Sequence, residues 1–337
     1  MHVTTRLATY GADEIGLICG FHFDARQAGR EIDSAAALHW LQQPQSEGFL
    51  WLHFNLAHAA CERWLRGNLA LPDDFFDMLR AGSSATRIEP AEQALLAVIN
   101  DVSFHFNLQS SDIASMLVYA GQRLLITARA RPLRSVDQLR AAVKRGGRFH
   151  SPQALLVHLL QDQAEVLARI VRDTTAEVDG IEDKLLAQRL QDNRAELAAM
   201  RRALVRLQRL LAPEPGALFR LLNRPPAWLL EEDVQALRES TEEFSLVLND
   251  LATLVERIKL LQEELAAMLN EQSNKTLFTL TVVTVLALPI NIVAGLFGMN
   301  VGGIPLAGHP HGFWLLLAFV AGFTALAGVW AFRKKAG

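Results

Sequence analysis

The stretch TLFTLTVVTVLALPINIVAGLFGMN, residues 276–300, decides the architecture of this chain. Its apolar part, residues 277–296, has the length of about 20 residues that a helix needs to cross a bilayer core. A second apolar run of similar length, residues 313–332, follows a short loop, and no Asp, Glu, Lys or Arg lies between Lys275 and Arg333. The sequence therefore predicts two C-terminal transmembrane helices.

Basic residues flank this pair of predicted spans on its outer ends, with Lys275 before the first span and the tail 333–337 after the second. Segments rich in Lys and Arg stay on the cytoplasmic side of a membrane. We therefore expect both termini in the cytoplasm and the connecting loop, residues 297–312, on the outer side. The N-terminal sequence has no basic segment followed by an apolar one, so we expect no secretory signal.

Residues 1–150 mix strand and helix patterns, which predicts a cytoplasmic α/β domain. Short apolar runs bounded by Gly, Pro, Asn or polar residues indicate strands, and amphipathic runs between them indicate helices. The predicted strands are 16–23, 49–54, 94–104 and 115–128, and the predicted helices are Ser34–Leu41 and 73–80.

Residues 151–231 predict a cytoplasmic helical hairpin region. Ser151-Pro152 supplies an N-cap residue followed by proline at the first helical position, which is a typical helix start. We expect a break at 191–194, and we expect the prolines from Pro213 onward to end the region.

Residues 232–296 predict one long stalk helix that continues into the first span. An apolar residue recurs every seven positions, which is typical of helices that pack side by side. We expect this row to help hold the helices of several copies around one axis. The row consists of Leu237, Phe244, Leu251, Ile258 and Leu265.

Composition and motifs exclude several classes of function. The net charge of −3 gives no support to nucleic-acid binding. Cys19 and Cys61 are far apart and form no CxxC, so neither a disulfide framework nor a cysteine metal site is predicted. No Walker A, GxSxG or HExxH pattern occurs, and we expect neither an enzyme nor a bound cofactor.

The first predicted span carries a stripe of polar, small and mildly apolar residues at steps of three and four, which places them on one helix face. A side-chain amide facing lipid is costly, so the stripe predicts a protein interior or a water-filled cavity. One hairpin cannot enclose a pore, but several copies can; the alternative is that these groups only join helices by hydrogen bonds. The stripe consists of Asn274, Leu277, Thr281, Thr284, Leu288, Asn291, Gly295 and Gly298.

The first predicted span ends in Phe297-Gly298-Met299-Asn300. The triplet Gly298-Met299-Asn300, at the outer end of the last span but one, resembles the signature of the CorA metal-ion transporter family. The resemblance extends over the whole chain. The continuation, residues 301–305, is similar to the ZntB-type zinc-transporter branch, and the loop lacks the acidic residues frequent in the magnesium-type branch. Phe297 stands where the family more usually has Tyr.

The resemblance implies a CorA-like homopentameric funnel in which the long helices line a central pore. Asn300 would form a ring of amide oxygens at the outer mouth, beside Gly298 and Met299, where a hydrated cation is first bound. Such oxygens accept hydrogen bonds from the water shell of an ion without removing it, and dehydration of small divalent ions is unfavourable. Leucine rings are candidate hydrophobic gates. The rings that follow inward would be Asn291, Leu288, Thr284, Thr281, Leu277 and Asn274.

Three further residues are candidates for metal binding. His309 and His311 lie in the outer loop as His-Pro-His, and imidazole suits zinc; the alternative is an ordinary solvated loop. Glu263 lies near the membrane end of the stalk helix, where a ring of copies would stabilise cations. The alternative for Glu263 is ordinary surface charge paired with Arg257 and Lys259.

The function that the resemblance implies is zinc transport across a bacterial-type inner membrane by a multi-pass homopentamer. Uptake is the expected direction, and the energy source is left open between the membrane potential and a proton gradient. The expected partners are further copies of the chain, the bilayer and the transported Zn²⁺. The alternatives are a CorA-type channel for Mg²⁺, Co²⁺ or Ni²⁺ and, in another class, a membrane-anchored cytoplasmic sensor or scaffold.

Overall fold

The computed structural model describes residues 11–24, 27–43, 47–82, 85–103, 112–187, 193–299, 303–305 and 309–333, with the backbone alone for 330–333. These residues group into two compact units, the first ending at Gln262 and the second beginning at Glu263. The boundary falls inside one helix, so the two units share a continuous backbone element.

A mixed sheet forms the centre of the first unit. Its strands are β1 (Leu17–Phe23), β2 (Arg30–Ile32), β3 (Phe49–Asn55), β4 (Arg87–Ala91), β5 (Ala94–Val102), β6 (Ile113–Ala120) and β7 (Leu124–Arg129). Among the described residues the spatial order is β2-β1-β3-β7-β6-β5-β4, and β3 and β7 are the parallel pair. Every residue of β3 and β5 is buried. Both faces of the sheet are therefore covered, which explains why these strands are mostly apolar and do not alternate with exposed polar residues.

Helices cover the sheet on both sides. Helices α1 (Ser34–Leu41), α2 (Cys61–Asn68) and α3 (Asp73–Ala81) pack on one face. The other face is covered by α4 (Arg134–Lys144), α5 (Pro152–Leu186) and α7 (Pro213–Asn223), while α6 (Arg194–Leu211) lies between α5 and α7 in the chain. The predicted α/β domain is thus a sheet with a hydrophobic core on each side.

The prediction of one strand over 115–128 is wrong. The chain reverses after Ala120, and the Gly121 N–H donates to the Leu124 carbonyl at 2.9 Å. Ala120 then pairs with Leu125 in an antiparallel hairpin of β6 and β7. Both arms are apolar and carry buried residues, and the glycine and polar residues of the short turn, Gly121, Gln122 and Arg123, are the signal that separates them.

The two edge strands were not predicted. Strands β2 and β4 are short and largely exposed, and charged residues and a proline stand where a buried strand would have apolar ones. Charge and proline are how natural sheets protect their edges from pairing with other chains, so the usual apolar signal is missing there. Strand β5 ends at Val102, and Phe104, the predicted end, lies outside the described residues.

The predicted helix start at Ser151-Pro152 is confirmed, because Ser151 Oγ accepts a hydrogen bond from the Ala154 N–H at 2.9 Å. The expected break at 191–194 lies partly outside the described residues, and α6 begins at Arg194. Pro225 and Pro226 follow the end of α7 at Asn223, as predicted, whereas Pro213 does not end the helical pattern. Pro213 is the first residue of α7, a position where proline fits because its missing N–H would have no helical partner.

The long helix α8 (Glu231–Phe297) has 67 residues and extends one residue beyond each predicted bound. Members of the seven-residue row are buried within the single chain, namely Leu237, Phe244, Leu251 and Ile258. The row is therefore not available to a neighbouring copy at these positions, contrary to the prediction. Polar contacts also tie α8 to α5, since Arg257 Nη1 lies 2.6 Å from Asp179 Oδ1 and pairs with Glu182 as well.

A carboxyl group is buried where α5, α7 and the sheet meet. Glu214 is fully buried, and its Oε2 accepts a hydrogen bond from Gln163 Nε2 at 3.1 Å. Its Oε1 has no hydrogen-bond partner among the described residues. Burial raises the pKa of Glu214 to about 8; the Gln163 hydrogen bond opposes this and the charge of Asp101 adds to it. Glu214 is therefore protonated at neutral pH in the folded chain.

We predict that Glu214→Gln flattens the dependence of stability on pH. A carboxyl whose pKa is raised on folding stabilises the fold fully below its unfolded pKa, and that stability is lost as pH rises. The loss should run from about pH 4.5, the ordinary value, to about pH 8. The variant should match the parent near pH 4 and melt at a higher temperature at pH 8, by a few kcal/mol in unfolding free energy.

Thermal melting of the detergent-purified chain between pH 4 and 9 measures this. The exposed Glu196 of α6 supplies a matched control, and Glu196→Gln should leave the profile unchanged. A Glu214→Gln profile parallel to that of the parent would contradict the assignment of a neutral buried carboxyl.

Candidate ion pathway

The second unit contains the end of α8 and the helix α9 (Gly312–Arg333), and both are long and apolar enough to cross a membrane. Each helix has one half-buried row at helical spacing, which is the pattern of two helices in contact. The rows are Val282, Leu286, Ile290 and Val293 in α8, and Leu316, Val320, Thr324 and Ala327 in α9. Each helix is therefore covered along one side.

The stripe predicted from the sequence lies on the uncovered side of α8. Its members Asn274, Leu277, Thr281, Thr284, Leu288 and Asn291 are all exposed. With about 3.6 residues per turn, the mean direction of the stripe is about 180° from the half-buried row. The polar members of the stripe therefore lie on the side of α8 opposite the half-buried row; they are Asn274, Thr281, Thr284 and Asn291.

The threonines of the stripe satisfy their hydroxyl protons within the helix. Thr281 Oγ1 donates to the Leu277 carbonyl at 2.8 Å, and Thr284 Oγ1 donates to the Leu280 carbonyl at 2.8 Å. A hydroxyl that donates in this way keeps lone pairs that can accept from water or contact a cation. These threonines thus need no neighbouring helix as acceptor and present oxygen atoms to the uncovered side.

Asn291 differs from the threonines, because its side-chain amide has no hydrogen-bond partner among the described residues and is exposed. An amide without a partner in hydrocarbon costs several kcal/mol, so this position requires water or another protein surface. Pro289 lies two residues earlier and leaves the Val285 carbonyl without a helical donor. Unsatisfied polar groups are therefore concentrated in this turn of α8.

The first span ends at the signature triplet. The Gly298 N–H donates to the Ala294 carbonyl at 2.9 Å, and the Met299 N–H donates to the Leu296 carbonyl at 3.4 Å. A Cβ at position 298 would lie 3.0 Å from the Ala294 oxygen, so glycine permits this tight final turn. Met299 is exposed, and Asn300, the predicted outer ring, lies outside the described residues.

The structure brings the two loop histidines together at the start of α9. His309 Nδ1 accepts a hydrogen bond from the His311 N–H at 3.2 Å, and the two ring centroids are 6.0 Å apart. This bond requires an unprotonated Nδ1 on His309 and leaves its Nε2 free. Zinc usually takes four ligands, and within the described part of the chain no group of three or more His, Cys, Asp or Glu side chains could hold a metal ion.

Glu263 is exposed in α8 and forms no ion pair among the described residues. The cations expected to neutralise it have other partners, since Arg257 pairs with Asp179 and Glu182, and Lys259 Nζ lies 2.8 Å from Glu256. Glu263 thus keeps an unneutralised charge. The structure does not bring it together with the histidines, which lie beyond the far end of the same helix.

Two helices long and apolar enough to cross a membrane, one of them with polar residues on an exposed face, fit a membrane transport protein. The comparisons with known proteins agree with this class. Residues 46–334 match the profile of a family described as CorA-like Mg²⁺ transporter protein.

Individual relatives cover nearly the whole chain. The divalent cation transporter CmaX of Pseudomonas aeruginosa is 30% identical over 329 residues, which is 96% of this chain and 97% of CmaX. The structure of full-length CmaX superposes with a TM-score of 0.80 at 28% identity, covering 96% of this chain and 98% of that one. The zinc transport protein ZntB of Pectobacterium atrosepticum is 26% identical over 91% of this chain and 98% of its own.

The chain belongs to the CorA family of divalent-cation transporters. Its members are ion transporters and not enzymes, as expected from the sequence. The complete CorA magnesium transporter of Methanocaldococcus jannaschii shares the fold, with a TM-score of 0.74 at 20% identity over 94% of this chain and 97% of that one. The predicted fold class is therefore confirmed, with an α/β N-terminal domain, a long helix and two C-terminal candidate spans.

We predict that a cysteine at position 284 reacts with a charged thiosulfonate reagent and that one at Phe319 does not. The reagent needs a thiolate, which forms in water and not in lipid. Thr284 lies on the polar stripe, whereas Phe319 is an exposed apolar residue of α9. The native thiols give no background, because burial raises the pKa of both Cys19 and Cys61 to about 12.

Mass spectrometry of the purified chain in liposomes gives the two labelling rates. Much faster modification of Thr284→Cys than of Phe319→Cys is expected. Equal rates would mean that positions 284 and 319 face the same medium. This result would contradict the predicted pathway along the stripe.

Proposed function

We propose that this chain is one subunit of a homopentameric zinc transporter of the inner membrane, with both termini in the cytoplasm and uptake as its direction. The observation that carries the proposal is the exposed stripe of α8 with its polar residues, opposite the half-buried row of the same helix. A single hairpin leaves this stripe facing lipid, and copies arranged around an axis turn it inward. The pentamer is the assembly that the family resemblance implies.

The stripe provides a pathway of neutral oxygen atoms. Thr281, Thr284 and Asn291 present hydroxyl and amide oxygens, and Leu277 and Leu288 supply apolar rings that gate by dewetting. A membrane potential that is negative inside favours entry by about 2.3 kcal/mol per charge per 100 mV, and therefore by about 4.6 kcal/mol per 100 mV for a divalent cation. A carboxylate such as Glu263, free of ion pairs among the described residues, stabilises the cation on the cytoplasmic side.

Zinc as the substrate is supported by the ZntB relatives and by the outer loop. The loop has no acidic residue and holds His309 and His311 with their free ring nitrogens exposed. Proton coupling is the second element of the proposal, and these histidines are its outer candidates because the spans contain no acid. The competing substrates, Mg²⁺, Co²⁺ and Ni²⁺, share the oxygen pathway and differ in their affinity for imidazole.

We predict that zinc enters proteoliposomes containing the purified chain, and enters faster when the outside is acidified. Asn300→Ala should lower zinc flux by roughly tenfold or more, because a lost hydrogen bond to a charged species costs about 1.5–3 kcal/mol. Thr324→Val supplies the control, because the Thr324 hydroxyl donates to the Val320 carbonyl within α9. It should transport at the parental rate.

Zinc, magnesium and cobalt fluxes are compared with and without a pH gradient. Voltage-driven magnesium entry with little zinc movement would assign the chain to the magnesium-type branch. No flux of any metal through folded, oligomeric protein would support a membrane-anchored sensor or scaffold instead.

We predict that the imidazole of His309, and not only its hydrogen bond to the loop, contributes to zinc capture. His309→Asn keeps an acceptor for the His311 N–H, since Asn side chains bond the backbone two residues on. His309→Ala loses both functions. If imidazole binds zinc, both variants should lower uptake at limiting zinc; parental uptake in His309→Asn would assign His309 a structural role alone.

A further inference from the structure

A cavity of about 460 Å³ lies in the first unit between α6 and α8. It is lined by Gln262 of α8 and by one side of α6, which contributes Ala198, Arg201, Arg202, Val205, Arg206 and Arg209. The opposite side of α6 is buried through Leu197, Met200, Leu204 and Leu207. The packing of that apolar side fixes α6 in place, so the four arginines are held around one concave surface.

These four arginines have no anionic partner in the described part of the chain. None forms a salt bridge there, and residues 197–211 contain no Asp or Glu. Arg201 is half-buried, and its Nε is shielded from solvent without a hydrogen-bond partner among the described residues. Four guanidinium groups around one cavity repel one another, so a bound anion would remove both the repulsion and the missing hydrogen bonds.

The chemistry of the cavity selects a small anion with several charges. Guanidinium groups bind phosphate through paired hydrogen bonds, and a run of Arg202, Arg206 and Arg209 follows one side of the helix for two turns. Arg202 and Arg209 lie seven residues, or about 10.5 Å, apart along the helix axis, so a chain of phosphates can follow the row further than a single phosphate group. Ala198 and the exposed Val205 leave an apolar part of the wall for a carbon-containing portion of the ligand.

We propose that this cavity, the arginine groove, binds a soluble polyphosphate anion, such as inorganic tripolyphosphate or a nucleoside triphosphate. The site goes beyond the proposed transport function and does not depend on it. A concave site of this volume is within the range of small-molecule pockets and favours a small anion over a lipid surface or a second copy of the chain. A ligand bound here would bridge Gln262 and the arginines and thereby strengthen the contact of α6 with α8.

Isothermal titration of the full-length chain in detergent tests the site, with sodium tripolyphosphate, ATP, inorganic phosphate and short-chain phosphatidylglycerol as probes. Buffers contain no divalent metal, so that chelation of transported ions does not contribute. Tripolyphosphate and ATP should bind saturably and more weakly as salt is raised. Inorganic phosphate should bind at least about tenfold more weakly than tripolyphosphate, because it makes fewer charged hydrogen bonds.

The variant Arg202→Gln/Arg206→Gln should weaken tripolyphosphate binding at least about tenfold. Arg194→Gln removes one positive charge from an exposed position of the same helix outside the groove and should bind as the parent does. Arg202→Lys/Arg206→Lys keeps the charge, loses the paired hydrogen bonds and should be intermediate. It also supplies the test if the glutamine variant fails to fold.

Three outcomes would overturn the proposal. These are the absence of saturable tripolyphosphate binding, equal binding in the groove and control variants, and binding of phosphatidylglycerol alone. A groove variant that melts as the parent does but assembles into smaller oligomers would show that a second copy, and not an anion, occupies the groove.

Discussion

Polar groups of a helix inside a bilayer have no water to hydrogen-bond with, and this restricts which surroundings the apolar end of α8 can have. Its backbone satisfies itself through helical hydrogen bonds, and its threonines do the same by donating to carbonyls one turn back. Asn291 has no such local solution, and Pro289 leaves a carbonyl without its donor. The polar side of this helix must therefore face water or protein, and a single hairpin provides neither.

The first half of α8 is constrained by packing within its own chain. There the apolar row from Leu237 to Ile258 is buried within the chain, and Arg257 is held by Asp179 and Glu182 of α5. Copies cannot be joined through a row of side chains that is already buried within each subunit. The proposed assembly must therefore be held by other surfaces, and the uncovered polar side of the span is one that only an assembly can shield.

The sequence predicted well what a single periodic pattern controls. The apolar end of α8 and the bounds of α9 follow from hydropathy, and the face shared by Thr281, Thr284 and Asn291 follows from helical spacing. It failed where two elements share one pattern, as in the β6–β7 hairpin, where two apolar arms were joined across the short turn of Gly121, Gln122 and Arg123. The arginine groove was missed for a related reason. Four arginines without a neighbouring acid are visible in the sequence, but only the packing of α6 near Gln262 makes them a cavity.

The chemistry of the pathway also limits where metal preference can arise. Hydroxyl, amide and carbonyl oxygens are ligands that magnesium accepts as well as zinc, so the stripe of α8 cannot distinguish the two ions by ligand type. No carboxylate, thiolate or imidazole lies in either predicted span. Any preference for zinc must then come from groups outside the bilayer, and imidazole is the ligand type among them that favours it. The exposed rings of His309 and His311 place such groups at the loop end of the hairpin, which an entering ion would meet first in the proposed topology.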